Sequence, residues 1–181
     1  MKGVIKLARI RELQLSDMDY MYEWMSDTDV MGSLVLGRTI NSKGKIEDFI
    51  RASWNDKTNI HFAIVTDENE YVGTVSLKNI NYIDRNAEYA IAIRKEFWGK
   101  GFSKIATDEL LKFGFYKLNM HKIFLNVISK NIRANKFYCK FGFELEGVLK
   151  EHLYLNGEYV DLNLYRYLRR SMDNNKGGKL I

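Results

Sequence analysis

Short alternating and helical hydrophobic patterns divide this chain into a continuous series of small elements. Residues 5–13 (IKLARIREL) alternate apolar and polar positions and predict a first strand. Ser16 is placed to cap a helix over 17–26, with Met18, Tyr22 and Met25 on one side. Residues 27–42 keep no period and contain Gly32 and Gly37, which predicts loop with short helix. A second helix follows near 44–55, with Ile46, Phe49, Ile50 and Trp54 as its apolar stripe. Residues 61–66 (HFAIVT) read as a strand, 67–70 (DENE) as a turn and 71–81 as the returning strand. After a turn at 82–86 come strand 88–93, helix 103–117, strand 122–129, helix 132–141 and two strands near 143–154 and 158–168. Asn156-Gly157 between the last two is a strong hairpin signal. Residues 171–181 (SMDNNKGGKLI) are polar and predict a flexible tail.

This order predicts an α/β chain with a single mixed, mostly antiparallel sheet flanked by helices. Residues 1–170 form one domain on this reading, with no internal repeat and no linker. The only parallel neighbours are strands 88–93 and 122–129, joined by helix 103–117.

The stretch from Glu88 to Phe115 carries the first chemical signal. A β-prone strand runs into Gly99 and Gly101, where no Cβ obstructs a tight turn, and then into a helix for which Ser103 is a reasonable N-cap. A helix start has unpaired N–H groups and a partial positive charge, and a glycine turn adds further N–H groups, which suits a pyrophosphate. Lys100 and Lys104 add positive charge. An ordinary strand-to-helix turn with solvated lysines satisfies the same pattern. The run is neither a Walker A loop nor a complete dinucleotide fingerprint.

Trp98-Gly99-Lys100-Gly101-Phe102-Ser103 resembles the acetyl-CoA loop of the GNAT acetyltransferases, in which Gln or Arg is followed by two residues, Gly, any residue, then Gly or Ala. Trp98 departs at the first position and Ser103 at the last. Two later blocks extend the resemblance: residues 126–143 (NVISKNIRANKFYCKFGF), like the family's strand, Asn turn and Tyr-containing helix, and residues 146–159 (EGVLKEHLYLNGEY), like the closing hairpin of its ribosomal-protein and polyamine branch. The resemblance covers about residues 6–170 and implies a GNAT fold. In that fold the two parallel strands splay apart and admit the pantetheine arm of acetyl-CoA, the expected co-substrate, with no metal.

The resemblance also assigns residues. Moving an acetyl group from a thioester to an amine requires a neutral amine, a donor for the oxyanion, a proton for the departing thiolate and alignment of both substrates. Tyr138 matches the family's acid, and a core tyrosine is the rival reading. Glu88 stands where the family places a base or water-holding carboxylate, against a solvated strand-end glutamate. Asn131 matches the turn asparagine that meets the pantetheine arm, and it also suits a helix N-cap. Asn126, Arg133 and Lys136 are expected at the cofactor with Trp98, Gly99, Lys100, Gly101, Phe102 and Ser103. Backbone N–H groups around Ile91 to Ile93 supply the oxyanion donor.

Composition narrows the remaining classes. A net charge of +5 favours an anionic ligand but has no clustered basic face, so no nucleic-acid partner is expected. No apolar run is long enough for a membrane span, and the N-terminus is too charged for a signal peptide. The single cysteine, Cys139, fits a reducing cytoplasm and reads as a buried, inert thiol. His61, His121 and His152 form no metal-ligand spacing.

The acceptor stays open at this level. Asp17, Asp19, Glu23, Asp27 and Asp29 would attract a polyamine, or serve as ordinary helix-dipole partners. Arg38, Lys43, Lys45 and Arg51 would meet the diphosphate of a nucleotide-linked amino sugar. A protein N-terminal amine is the third class, and acetyl-CoA binding without transfer is the alternative to an enzyme. An exposed edge in the final hairpin would serve a homodimer.

Overall fold

The computed structural model describes residues 8–32, 42–155 and 157–177. Its elements are β1 (Ala8–Glu12), a 3-10 turn, α1 (Met18–Ser26), α2 (Thr28–Met31), α3 (Lys43–Ser53), β2 (Ile60–Thr66), β3 (Tyr71–Asn81), β4 (Asn86–Ile93), a 3-10 turn, α4 (Phe102–Lys112), β5 (Lys122–Ile128), α5 (Ile132–Phe141), β6 (Glu144–Leu155), β7 (Glu158–Leu168) and α6 (Arg169–Gly177). The strands form one seven-stranded sheet in the order β1-β2-β3-β4-β5-β7-β6. All neighbours are antiparallel except β4 and β5.

Side chains alternate across a strand, so each strand serves two cores. Val75, Leu77, Tyr89, Ile123 and Leu125 pack with Phe102, Leu110, Phe115 and Tyr138 from the α4 and α5 side. Ala63, Val65, Tyr71 and Ala92 face the opposite way and pack with Met21, Trp24, Ile46 and Ile50 from α1 and α3. Two close approaches require glycine. A Cβ on Gly73 would lie 2.1 Å from the Ala92 carbonyl oxygen, and one on Gly114 would lie 2.7 Å from Ile123 Cδ1.

Several local expectations change, among them that Trp54, expected in the apolar stripe of α3, lies at its C-cap and is exposed. The buried side of α1 is set by Met21 and Trp24, while Tyr22 is exposed. The chain does not become a tail at 171: α6 runs to Gly177, with Met172 buried and Asp173 accepting from the Tyr116 hydroxyl at 2.7 Å. Cys139 is exposed, not buried. Arg38, Gly37 and Asn156 lie outside the described residues.

Candidate active site

β4 and β5 pair only from Asn86↔Lys122 to Glu88↔Phe124, and beyond that they diverge. The wedge that opens is a cavity of about 520 Å³ between the ends of the two strands, the start of α4 and one face of α5. The polar edge of β4 lines it for a reason of register. Ala90, Ala92 and Arg94 turn their main-chain groups toward β3, as the Arg94 N–H to Val72 carbonyl bond of 2.9 Å shows. Main-chain groups alternate in direction along a strand, so those of Tyr89, Ile91 and Ile93 point into the wedge. The expected Ile91 and Ile93 amides are therefore on the open edge, and both residues line the cavity. On the facing strand, Asn126 also lines it.

At one end lies the glycine turn. Gly99 and Gly101 have φ of 76° and 89°, the left-handed region that only glycine enters cheaply. Among the described residues nothing lies within 4 Å of where either Cβ would be, so the glycines leave open space above the loop as well as permitting its shape. Gly101, not Ser103, is the N-cap, because its left-handed conformation is what turns the chain into α4. Among the described residues no acceptor takes the N–H groups of Gly99, Gly101, Phe102 or Ser103. These free donors sit at the positive end of the α4 dipole. Ser103 and Lys104 line the cavity. The Phe102 side chain is buried against Phe97, so only its backbone serves the loop. Lys100 does not line the cavity; its ammonium lies 5.3 Å from the centre of the Phe97 ring.

α5 supplies the other wall. Asn131 is its N-cap, accepting from the Ala134 N–H at 3.1 Å, and it lines the cavity as well. Arg133, Ala134, Phe137, Tyr138 and Phe141 share this face. Lys136 does not: it lies two residues from Tyr138, about 200° around a helix, and is exposed. Lys140 takes a place at the cavity instead.

Tyr138 is buried among Tyr89, Phe137, Phe143 and Tyr165, with ring centroids 5.3–6.1 Å away. Its hydroxyl has no hydrogen-bond partner among the described residues. Burial pushes its pKa well above the ordinary phenol value, so the proton stays on the oxygen at neutral pH. The result is a neutral, uncommitted O–H donor at the cavity.

Glu88 stands on the other face of β4, toward α1 and α3. Lys78 donates to Glu88 Oε1 at 3.1 Å and Asn79 Nδ2 to Oε2 at 2.8 Å. Asn79 has φ of 51° at the register shift between Lys78 and Asn81, which aims its side chain back at Glu88. Glu88 is the only carboxylate among the described residues lining the cavity. The sequence reading missed Lys78 and Asn79, although the hairpin register places Lys78 directly opposite Glu88.

The acidic cluster of the N-terminal segment is committed elsewhere. Asp17 pairs with Arg11, Asp19 with Lys43, Glu23 with Arg94 and Asp29 with Lys95, while Asp27 caps α2. The basic residues are spent in the same way: Lys43 on Asp19 and Arg51 on Glu47.

The cavity thus has free backbone donors, Lys104 and Arg133 at one end, apolar Ile91, Ile93 and Phe137 along its length, and Glu88 on the far face of the sheet. This arrangement fits acetyl-CoA, with phosphates at the start of α4 and the arm between the strands. No cluster of three metal-ligating side chains occurs among the described residues.

The fold and this site define an acetyltransferase of the GNAT family. The family model described as acetyltransferase (GNAT) domain matches residues 8–144, and the chain belongs to that family. The spermidine N(1)-acetyltransferase of Vibrio cholerae is 32% identical over 167 residues, covering 90% of this chain and 96% of the relative. The spermidine N(1)-acetyltransferase of Escherichia coli K12 is 30% identical over 151 residues, covering 83% and 80%. A crystal structure of the Vibrio cholerae spermidine N-acetyltransferase with CoA and spermine matches with a TM-score of 0.84 and 29% identity, over 90% of this chain and 96% of that one. The chain is an acetyl-CoA-dependent N-acetyltransferase, as the motif blocks implied. No helix among the described residues is long and apolar enough to cross a membrane.

Proposed function

We propose that the acceptor is a polyamine such as spermidine, acetylated on a terminal primary amine by direct attack on the thioester. The observation that carries this reading is Glu88, the one carboxylate among the described cavity-lining residues, facing the cavity from the side opposite the α4 start. The relatives named for spermidine support it. Lys43 and Arg51 are paired with carboxylates just as the acidic cluster is paired with basic residues, so neither set decides the acceptor.

In this reading the chain supplies four functions. The α4 amides, Lys104 and Arg133 bind the phosphates. The Ile91 and Ile93 N–H groups, on the open edge of β4, polarise the thioester carbonyl and stabilise the oxyanion as it forms. Glu88 attracts the cationic acceptor and takes the proton that the attacking amine sheds, directly or through water. Tyr138 holds its proton at neutral pH and donates to the departing sulfur. A full transfer from so weak an acid costs about 1.4 kcal/mol per pKa unit, so the hydrogen bond forms first and the proton follows as charge builds on sulfur.

Two further assignments belong here. The lone thiol supports a cytoplasmic site of action. Edge strand β6 exposes Leu145, Val148 and Tyr154, which supports pairing of two copies; light scattering at micromolar concentration checks it.

The test of function is thiol release from acetyl-CoA with spermidine, spermine, nucleotide-linked amino sugars and N-terminal peptides offered in parallel. Release with the polyamines alone supports the reading. Turnover only with amino sugars or peptides sinks it.

A further inference from the structure

Trp98, one of the two loop positions that depart from the family pattern, makes two contacts that explain its presence. The Trp98 indole Nε1–H donates to the Ile93 carbonyl at 2.8 Å. That carbonyl belongs to the same peptide as the Arg94 N–H, which bonds β3, so it points into the wedge, where no strand would otherwise meet it. The bond fixes the indole at the mouth of the splay. The Arg133 guanidinium, on the first turn of α5, lies 3.6 Å from the centre of that indole. Trp98, from the loop after β4, and Arg133, from the helix after β5, meet across the opening.

Stacking on an aromatic face uses only the plane of a guanidinium. The N–H donors lie in that plane and remain available for bidentate binding of a phosphate. Arg133 has no carboxylate partner and no hydrogen bond among the described residues. Partial desolvation lowers the pKa of its guanidinium. Lys104 and the free amides of the α4 start line the same cavity. Positive charge therefore converges here with no carboxylate facing it among the described residues.

We propose that Trp98 is a positioning residue that holds Arg133, by stacking, as a preoriented ligand for the phosphates of CoA. Here the indole contributes no donor to the ligand, since its one N–H is spent on Ile93. It recruits a cation from the facing helix instead, and the ordering of a long arginine side chain is met before the ligand arrives. The proposal rests on acetyl-CoA binding and not on the identity of the acceptor, so the two fail separately.

The test is calorimetric binding of CoA, without any acceptor, to the wild type and to W98F, W98L, R133A and the W98L/R133A double variant, over a range of salt. Phenylalanine keeps an aromatic face, and leucine keeps apolar bulk without one. R133A and W98L should each weaken CoA binding about tenfold, with W98F falling much less. The double variant should bind no worse than R133A alone. The salt dependence should flatten equally in R133A and W98L, because Trp98 acts through the charge of Arg133. Thermal melting of each variant checks that the fold survives. Equal binding by W98L and W98F, additive losses in the double variant, or a full salt slope in W98L would each overturn the proposal.

Discussion

Lys78 on β3 and Glu88 on β4 sit directly opposite one another and form an ion pair of 3.1 Å at the wall of the cavity. Both side chains are mostly screened from solvent, at 24% and 19% exposure, so the pair is more than a surface decoration. It presents a carboxylate that is already held in place by Lys78 and by Asn79. A cationic acceptor meets an oriented acceptor of hydrogen bonds and shares it with Lys78.

This leads to the first prediction. Glu88→Gln keeps the shape while removing the charge, and its single amide oxygen can accept from only one of Lys78 and Asn79. It should lower kcat/KM for spermidine by about tenfold to a hundredfold, the value of one charge-assisted hydrogen bond. Binding of CoA, measured by calorimetry, should be unchanged. An undiminished kcat/KM would remove Glu88 from the acceptor chemistry.

Tyr138→Phe deletes a hydroxyl that no described residue uses. Its melting temperature and CoA affinity should therefore stay close to wild type, while kcat falls about 10²- to 10⁴-fold. Steady-state rates beside thermal melts separate this outcome from a packing role, for which the melt would drop and kcat would not.

What was legible beforehand divides along local and nonlocal lines. The glycine turn, the Asn131 cap and the Tyr138 helix were readable because each is fixed by backbone conformation or helical phase within a few residues. The same phase argument, applied from Tyr138, places Lys136 on the far side of α5. The mixed sheet and its one parallel pair followed from the order of the elements, whereas the wedge between that pair followed from the motif resemblance. The pairing of Asp19 with Lys43 and of Glu23 with Arg94 spans separate elements, so the acidic run looked free when read along the chain. The Trp98–Arg133 stack is hidden for the same reason: only the meeting of the loop after β4 with the first turn of α5 across the wedge creates it. Ser103 looked like a cap by residue type, but a left-handed glycine starts the helix two residues earlier.

Gly101 tests that last point. A Cβ there has open space, so Gly101→Ala should cost only the left-handed backbone, about 1–2 kcal/mol. For a chain of this size that lowers the melting temperature by about 2–8 °C. The variant should also weaken CoA binding, since a strained loop no longer aims its amides together. Calorimetry after the melt tells whether the two losses occur together, and a melt without change would mean that the left-handed turn is not a constraint.

His61 gives the chain a pH dependence of stability that is separate from catalysis. Its ring packs edge-on against Phe49, with centroids 4.7 Å apart, and Nδ1 lies 2.7 Å from the Ser76 hydroxyl. Burial pushes its pKa down to about 4, from an ordinary value of 6.5. The unfolded chain takes up the proton as pH falls through 6.5, while the folded chain resists until about 4. In that window the unfolded state binds more protons, so stability is full above the ordinary value and declines as pH falls toward the folded one. His61→Gln keeps a hydrogen-bonding partner for Ser76 without a titrating group. Melting temperatures at pH 7.0 and pH 5.0, about two units apart across this window, should differ less in the variant than in the wild type. An equal drop in both would assign the acid sensitivity to other groups.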